Sequence, residues 1–198
     1  MPASINTPVV DFLLSRKSPP ISVLHEPAPD DAELLEMLRI ATRIPDHAML
    51  EPWRFITYRG EARAKVGELF AKRIVEIEGD VPEKRIEQEK TRFTRAPLVV
   101  GVVSVPKPHP RVPDWEKFIS GGNAAFALVL AAHAHGYAAN WVSNWYSDDA
   151  QSRAFLGLAP DERSIGFVHI GTVDEAAPDR PRPDPAKLVQ AYSGPWKA

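Results

Sequence analysis

Leu98-Val99-Val100-Gly101-Val102-Val103-Ser104-Val105 is the stretch from which the fold is read. The run is apolar with almost no alternation, which is the pattern of a strand buried on both faces. Such a strand needs cover above and below, so helices are expected on its sheet. Upstream, Trp53-Arg54-Phe55-Ile56-Thr57-Tyr58 is aromatic and β-branched and reads as a second strand. Downstream, Ala138 to Trp145 and Ile165 to Gly171 read as two more, separated by a helix from about Asp148 to Leu156.

Helical patterns fill the rest. Thr7-Pro8 opens the first, with Thr7 as N-cap and Pro8 at the first helical position, where its missing N–H costs nothing. Asp30 with Glu33 is a capping-box pattern, after which Leu34, Leu35, Leu38 and Ala41 recur at helical spacing up to about Arg43. Two charge-rich helices are expected over about Glu61 to Glu78 and Pro82 to Thr94. The second has few apolar anchors and alternating signs, so a solvated helix lying over the body is expected. Pro106 to Pro113 holds four prolines and cannot be regular. Asp114 to His135 is the longest helix, and from Asn123 onward it is apolar on almost every side. A helix of that kind is buried, in a central core or a subunit interface. The proline-rich tail after Thr172 ends in a short apolar segment, Leu188 to Tyr192. The expected architecture is a mixed α/β chain with four or five strands in a sheet covered by helices.

At 198 residues one domain is expected, and a chain of this size can bury roughly 70% of its unfolded surface without a metal or disulfide. Cysteine is absent, which excludes a disulfide scaffold, a thiolate nucleophile and a Cys-type metal site. Lys+Arg number 24 against 26 Asp+Glu, a net charge of −2 that lacks the footprint of a general nucleic-acid binder. No apolar run approaches the roughly 20 residues that cross a bilayer, and no secretion signal is visible at the N-terminus, so a cytoplasmic protein is expected.

Familiar catalytic motifs fail. No G-x-G-x-x-G follows a strand, and neither a P-loop nor a G-x-S-x-G is present. His133 and His135, two apart on a helix, point about 200° away from each other and do not chelate one metal ion.

Four stretches remain. Ser15-Arg16-Lys17-Ser18 places two cations between two hydroxyls at the end of the first helix. They either complement the helix dipole or form a phosphate clamp, with a guanidinium fork and a hydroxyl donor. Arg180-Pro181-Arg182 is either a solvated turn or a second such pair. His47, in the helix exit Pro45-Asp46-His47, either fixes its own turn or donates to a phosphate or ring carbonyl. Trp141-Val142-Ser143-Asn144-Trp145 puts a flat side chain and hydroxyl and amide donors at a strand end, where ligand contacts fall, although a core tryptophan is the default reading.

Taken in order, Ser15-Arg16-Lys17-Ser18, Pro45-Asp46-His47 with Pro52-Trp53-Arg54-Phe55, Arg95-Ala96-Pro97, Gly136-Tyr137 to Trp141, and Ile170-Gly171-Thr172 resemble the FMN-dependent nitroreductase family, in particular its short NAD(P)H nitroreductases. The resemblance covers about residues 8–192 of a single domain, 1–198. It implies a three-layer α+β sandwich with a mixed, mainly antiparallel sheet of four to five strands covered by helices, in an intertwined homodimer with FMN at two subunit-interface sites. It further implies ping-pong reduction of nitroaromatic, quinone or similar acceptors by NADH or NADPH. Arg16, Lys17 and Ser18 match the segment that holds the FMN phosphate and ribityl chain, and Arg182 matches a late basic residue near the phosphate. His47 and Glu51 match positions that reach FMN from the partner subunit, and Trp141, Val142 and Ser143 match the stretch along the isoalloxazine. Ala131, Ala132, His133, Ala134, His135 and Gly136 correspond to a segment associated with nicotinamide-cofactor binding. Leu188 to Tyr192 would add a strand to the partner's sheet, and the long helix would bury against its copy. Trp115, Phe118 and Trp145 are candidate walls for the acceptor pocket, each with core packing as the leading reading. Glu51 stands where an amide is expected, Val142 where relatives carry a basic residue, and Lys17 where a second arginine is expected. No catalytic side chain and no metal is expected. Other flavin chemistries on the same fold (flavin reduction, dehalogenation, flavin fragmentation), a non-enzymatic FMN-binding module and a flavin-free interaction protein are the alternatives.

Overall fold

The computed structural model describes residues 4–195. Its four strands are β1 (Trp53–Tyr58), β2 (Leu98–Ser104), β3 (Ala138–Val142) and β4 (Arg163–Gly171), and its six α-helices are α1 (Thr7–Ser15), α2 (Asp31–Ala41), α3 (Glu61–Glu78), α4 (Glu83–Lys90), α5 (Asp114–Ala134) and α6 (Ala150–Phe155). The sheet order is β1-β2-β4-β3, and all three pairings are antiparallel. The mixed sheet expected from the sequence is therefore wholly antiparallel.

β2 sits inside this sheet with six of its seven residues buried, as its apolar run requires. Side chains alternate between two cores. Leu98, Val100, Val102, Val168 and Ile170 pack under α2 and α5, with Leu34, Met37, Ala124, Leu128 and Val129. Val99, Val103 and Phe167 face an aromatic cluster of Tyr58, Phe70, Phe93 and Tyr146 under α3 and the 3₁₀ turn Trp145–Ser147. The result is the expected three layers.

Local signals set some of the element ends. Asp30 Oδ1 accepts from the Ala32 and Glu33 N–H groups and Glu33 Oε2 from the Asp30 N–H, so the capping box at α2 forms. At α1 the cap lies one residue earlier than expected: Asn6 occupies the N-cap, without a side-chain bond, and Pro8 falls in the first turn. The strand expected up to Trp145 stops at Val142, because Asn144 caps the 3₁₀ turn that follows.

Helix α4 is less solvated than its composition predicts. Glu89 is fully buried and receives Arg92 Nη2–H (2.6 Å), Arg85 Nη1 (2.6 Å) and Trp145 Nε1–H (3.2 Å). A buried carboxylate persists only with such partners. The helix also lies tight on α3 at Gly67, where a Cβ would sit 1.9 Å from the Lys90 carbonyl oxygen.

Two contacts at the β3–β4 edge position the candidate site. His25 and Thr172 exchange both backbone hydrogen bonds, at 3.0 and 2.8 Å. Asn140 Nδ2–H of β3 donates to the Pro19 carbonyl at 2.7 Å. The segment after α1 is thereby fixed beside the start of the C-terminal tail.

Candidate functional site

That pairing brings together residues at opposite ends of the chain. Arg16, Lys17 and Ser18 share a cavity of about 280 Å³ with Pro20, Ala177, Pro178, Arg180 and Arg182. The two cation pairs, each ambiguous alone, converge on one cleft. Arg16 is pushed below the ordinary arginine range by burial and by the charges of Arg182 and Arg180. Cations that repel one another this closely define a site complementary to an anion. The local acid is Asp179, which accepts from Arg182 Nη2 at 2.7 Å and from the Arg180 N–H at 2.9 Å. Its carboxyl is held below the usual range by Arg182, by the Arg180 N–H and by the charge of Lys17. Among the described residues, the Arg180 guanidinium has no ion pair. Arg16 Nη1–H donates to Ser18 Oγ at 3.2 Å, which leaves the hydroxyl proton of Ser18 available to a ligand.

From this cleft a surface runs along α5. The Arg16 guanidinium carbon lies 5.3 Å from the centroid of the Phe126 ring. One turn toward the N-terminus, about 6 Å along the axis, a Cβ at Gly122 would meet the Trp141 indole at 3.9 Å. Trp141 is 39% exposed on edge strand β3. Its indole lies over Gly166 of β4, where φ is 141° and a Cβ would sit 2.2 Å from Nε1. Glycine is required there for backbone angle and for space. Val142 is half-buried and Ser143 exposed just beyond. Trp141, Val142 and Ser143 thus continue the flank of α5 that begins under Arg16.

His47 occupies a separate cleft on the neighbouring flank of α5. The cavity, about 340 Å³, is lined by Pro45, Asp46, His47, Pro52, Glu116, Lys117, Ser120 and Asn123, with Val112 and Ile119. His47 Nδ1 is 2.7 Å from Glu116 Oε1. The loop is wound about Asp46, whose carboxylate accepts from the N–H groups of Leu50 (3.1 Å) and Glu51 (2.9 Å). Ala48, Met49 and Glu51 all adopt positive φ, at 63°, 52° and 49°. Glu51 is exposed. Within one chain this cleft and the cation cleft have no lining residue in common.

The segment 131–136 divides. Ala131 and Ala132 are buried in the core, and Ala134 is exposed. His135 Nδ1–H donates to the Ala131 carbonyl at 2.8 Å, and Gly136 ends the helix with φ 84°. His133, whose Nδ1–H donates to the Tyr137 carbonyl at 3.0 Å, lines a cavity of about 390 Å³ with Lys17, Gly136, Tyr137 and Thr172. Burial, with the charge of Arg16, lowers its pKa from the ordinary value. Of the six, His133 and Gly136 line this cavity, and Lys17 joins it to the cation cleft.

Of the candidate acceptor walls, Trp115 and Phe118 line one cavity of about 460 Å³ with Arg163, whose guanidinium carbon lies 4.5 Å from the Phe118 centroid. Trp145 packs instead against Phe70 and Tyr146 in the aromatic core on the far side of the sheet, with Nε1–H on Glu89. Its core reading holds. Among the described residues, no group of three or more His, Cys, Asp or Glu is placed to hold a metal ion, and no helix is long and apolar enough to cross a membrane. Reading residues in sequence missed Phe126, Gly166 and Glu116. Gly166 carries a visible signal, an isolated glycine inside a strand, whereas Glu116 lies 69 residues from its partner and carries none.

The nitroreductase family model matches residues 15–172. The chain belongs to the nitroreductase family. "Putative NAD(P)H nitroreductase YdjA" of Escherichia coli K12 is 31% identical over 184 residues, which are 92% of this chain and 98% of that one. The structure of a nitroreductase-like family protein from Bacillus cereus superposes with a TM-score of 0.77 at 23% identity, covering 98% of this chain and all of that one. The "FMN and NADPH-dependent nitroreductase NfnB" of sphigopyxis sp. strain HMH superposes at 0.71 with 21% identity, over 93% and 98% of the two chains. Both likenesses extend over nearly the whole nitroreductase fold.

Proposed function

We propose that this protein binds FMN and passes electrons from NADH or NADPH to nitroaromatic, quinone or similar electron-poor acceptors in two half-reactions. The observation that carries the reading is the convergence of Arg16, Lys17, Arg180 and Arg182 on one cleft. A phosphate monoester brings close to two negative charges and three acceptor oxygens. The cleft offers guanidinium forks, an ammonium and the Ser18 hydroxyl, so the residues present fit that group. The names of the relatives, which specify NAD(P)H and FMN, support the same cofactors.

Arg16, Lys17, Ser18 and Arg182 would hold the phosphate. Trp141, Val142 and Ser143, further along the flank of α5, would lie against the flavin ring, which when bound supplies the atom that takes up and gives away hydride. The chain then has to orient two flat ligands in turn and keep water from them. It needs no side-chain nucleophile.

A homodimer belongs to the same reading. Exposed Ile119, Asn123 and Phe126 and half-buried Leu130 of α5 recur at spacings of four, three and four, the seam of a helix that packs on another helix. None of the nine residues of α1 is buried, although Val9, Val10, Leu13 and Leu14 are apolar. Leu188, Val189 and Tyr192 are exposed and form no strand in the single chain. A two-fold partner would cover these surfaces and present His47 and Glu51 to the other copy's flavin.

The test is an anaerobic titration with each nicotinamide followed by a panel of acceptors, beside an FMN-binding measurement on the double variant Arg16→Ala, Arg182→Ala. Two charge-assisted hydrogen bonds, each contributing about 1.5–3 kcal/mol, predict FMN affinity weakened at least about 100-fold. Unchanged affinity refutes the phosphate assignment. Failure of both nicotinamides to bleach the bound flavin refutes the oxidoreductase.

A further inference from the structure

The cleft that holds His47 is built with more care than a cofactor contact needs. Its loop is tied to one face of α5 at two points a helical turn apart: Ser120 Oγ–H donates to the Pro45 carbonyl at 2.6 Å, and Glu116 Oε1 meets His47 Nδ1 at 2.7 Å. Directly after these anchors Ala48, Met49 and Glu51 are held left-handed, each at a cost on the order of 1 kcal/mol or more. The loop endures this strain around one exposed imidazole.

Among the lining groups, the proton-bearing alternatives are committed. The Asp46 carboxylate is bound to two backbone N–H groups. Lys117 Nζ donates to the Lys107 carbonyl at 2.8 Å and pairs with Asp114 Oδ1 at 2.6 Å. The Ser120 hydroxyl proton is on Pro45. His47 Nε2 has no partner among the described residues. A carboxylate on Nδ1 keeps the proton there, so Nε2 is the nitrogen that exchanges protons with a ligand.

We propose that His47 is a proton donor to the electron acceptor, with Glu116 as its positioning residue. The inference rests on the reading above, in which a partner copy's flavin lies before this loop. A para-quinone that becomes a hydroquinone takes up two electrons and two protons. The electrons and one proton reach it as hydride originating in NAD(P)H. The second proton passes from His47 Nε2–H to the quinone oxygen as the O–H bond forms, leaving a neutral imidazole that keeps its Nδ1 proton on Glu116 and regains the other from water.

Two measurements test this. In ¹⁵N NMR of the flavin-free protein, with the His47 signals assigned by their loss in His47→Gln, the neutral ring is expected as the Nδ1–H tautomer in the wild type and shifted toward Nε2–H in Glu116→Ala. A wild-type ring already in the Nε2–H form overturns the proposal. In stopped-flow reoxidation of the reduced holoenzyme, benzoquinone needs protons and ferricyanide takes electrons only. The quinone-to-ferricyanide rate ratio is expected to fall at least tenfold in Glu116→Ala and to recover in part in Glu116→Asp. A ratio within twofold of wild type, on protein that binds FMN normally, overturns the proton donor and leaves the oxidoreductase standing. Wild-type protein that binds no FMN overturns both.

Discussion

Replacing His169 by leucine should remove a specific part of this protein's acid sensitivity. His169 lies in the C-terminal half of β4 with no exposed surface, edge-on to Phe93 at 5.7 Å, and neither ring nitrogen has a partner. Burial, with the charge of Arg95, pushes its pKa from 6.5 down to about 3. The unfolded chain accepts a proton near pH 6.5 that the native state refuses, so stability is lost as pH falls from 6.5 toward 3. The slope is about 1.4 kcal/mol per pH unit, and the loss at pH 5 relative to pH 8 is about 2 kcal/mol. His169→Leu cannot take that proton. Equilibrium urea unfolding of both proteins at pH 7.5, 6 and 5, at one flavin concentration, measures the difference. Near pH 7.5 the variant should lie within about 1.5 kcal/mol of wild type, since the swap nearly conserves volume. It should become the more stable of the two, relative to that starting point, by about 2 kcal/mol at pH 5. The lowered pKa of His133 acts in the same direction in both proteins and cancels, and the lowered carboxyls of Asp149 and Glu162 act only at more acid pH. Parallel pH dependences for the two proteins would refute the assignment.

The remaining predictions concern the site. Gly166→Ala forces a Cβ into the Trp141 indole and should destabilise by about 1–3 kcal/mol, with Trp141 displaced and FMN binding weakened; a wild-type urea midpoint and wild-type affinity would show that the glycine is dispensable. Ile119→Lys places a charge in the exposed α5 seam and should convert a micromolar dimer to monomer by sedimentation, whereas a dimer of undiminished strength would place the interface elsewhere. The paired Arg16→Ala, Arg182→Ala change should also flatten the salt dependence of FMN binding, because two of the screened charges are gone.

Local grammar in the sequence was enough for the layers. An unbroken apolar run makes β2 a strand covered on both sides, and Asp30 with Glu33 starts α2 where it should. These are interactions between residues close in the chain, or averages over a face, and composition reports them. Misreadings arose where a distant contact outweighs local character. Helix α4 looks solvated, yet Glu89 is drawn inward because Arg85, Arg92 and a tryptophan 56 residues away satisfy its oxygens. Trp145 carries two readings, core and pocket wall, and its contacts with Phe70 and Tyr146 decide for the core.

The cation cleft divides the same way. Residue type made Arg16, Lys17 and Arg182 eligible to grip an anion, since a guanidinium or ammonium carries its charge wherever the chain takes it. Eligibility is all that a charge in a sequence can express. That the two ends meet depends on the exchange of hydrogen bonds between His25 and Thr172 and on the grip of Asn140 on Pro19. The link from His47 to Glu116 spans 69 residues and is closed by the packing of a strained loop on α5. The chemistry of each side chain is fixed by its own atoms and is legible one residue at a time. Which side chains act together is fixed by long-range packing, and only the folded chain decides it.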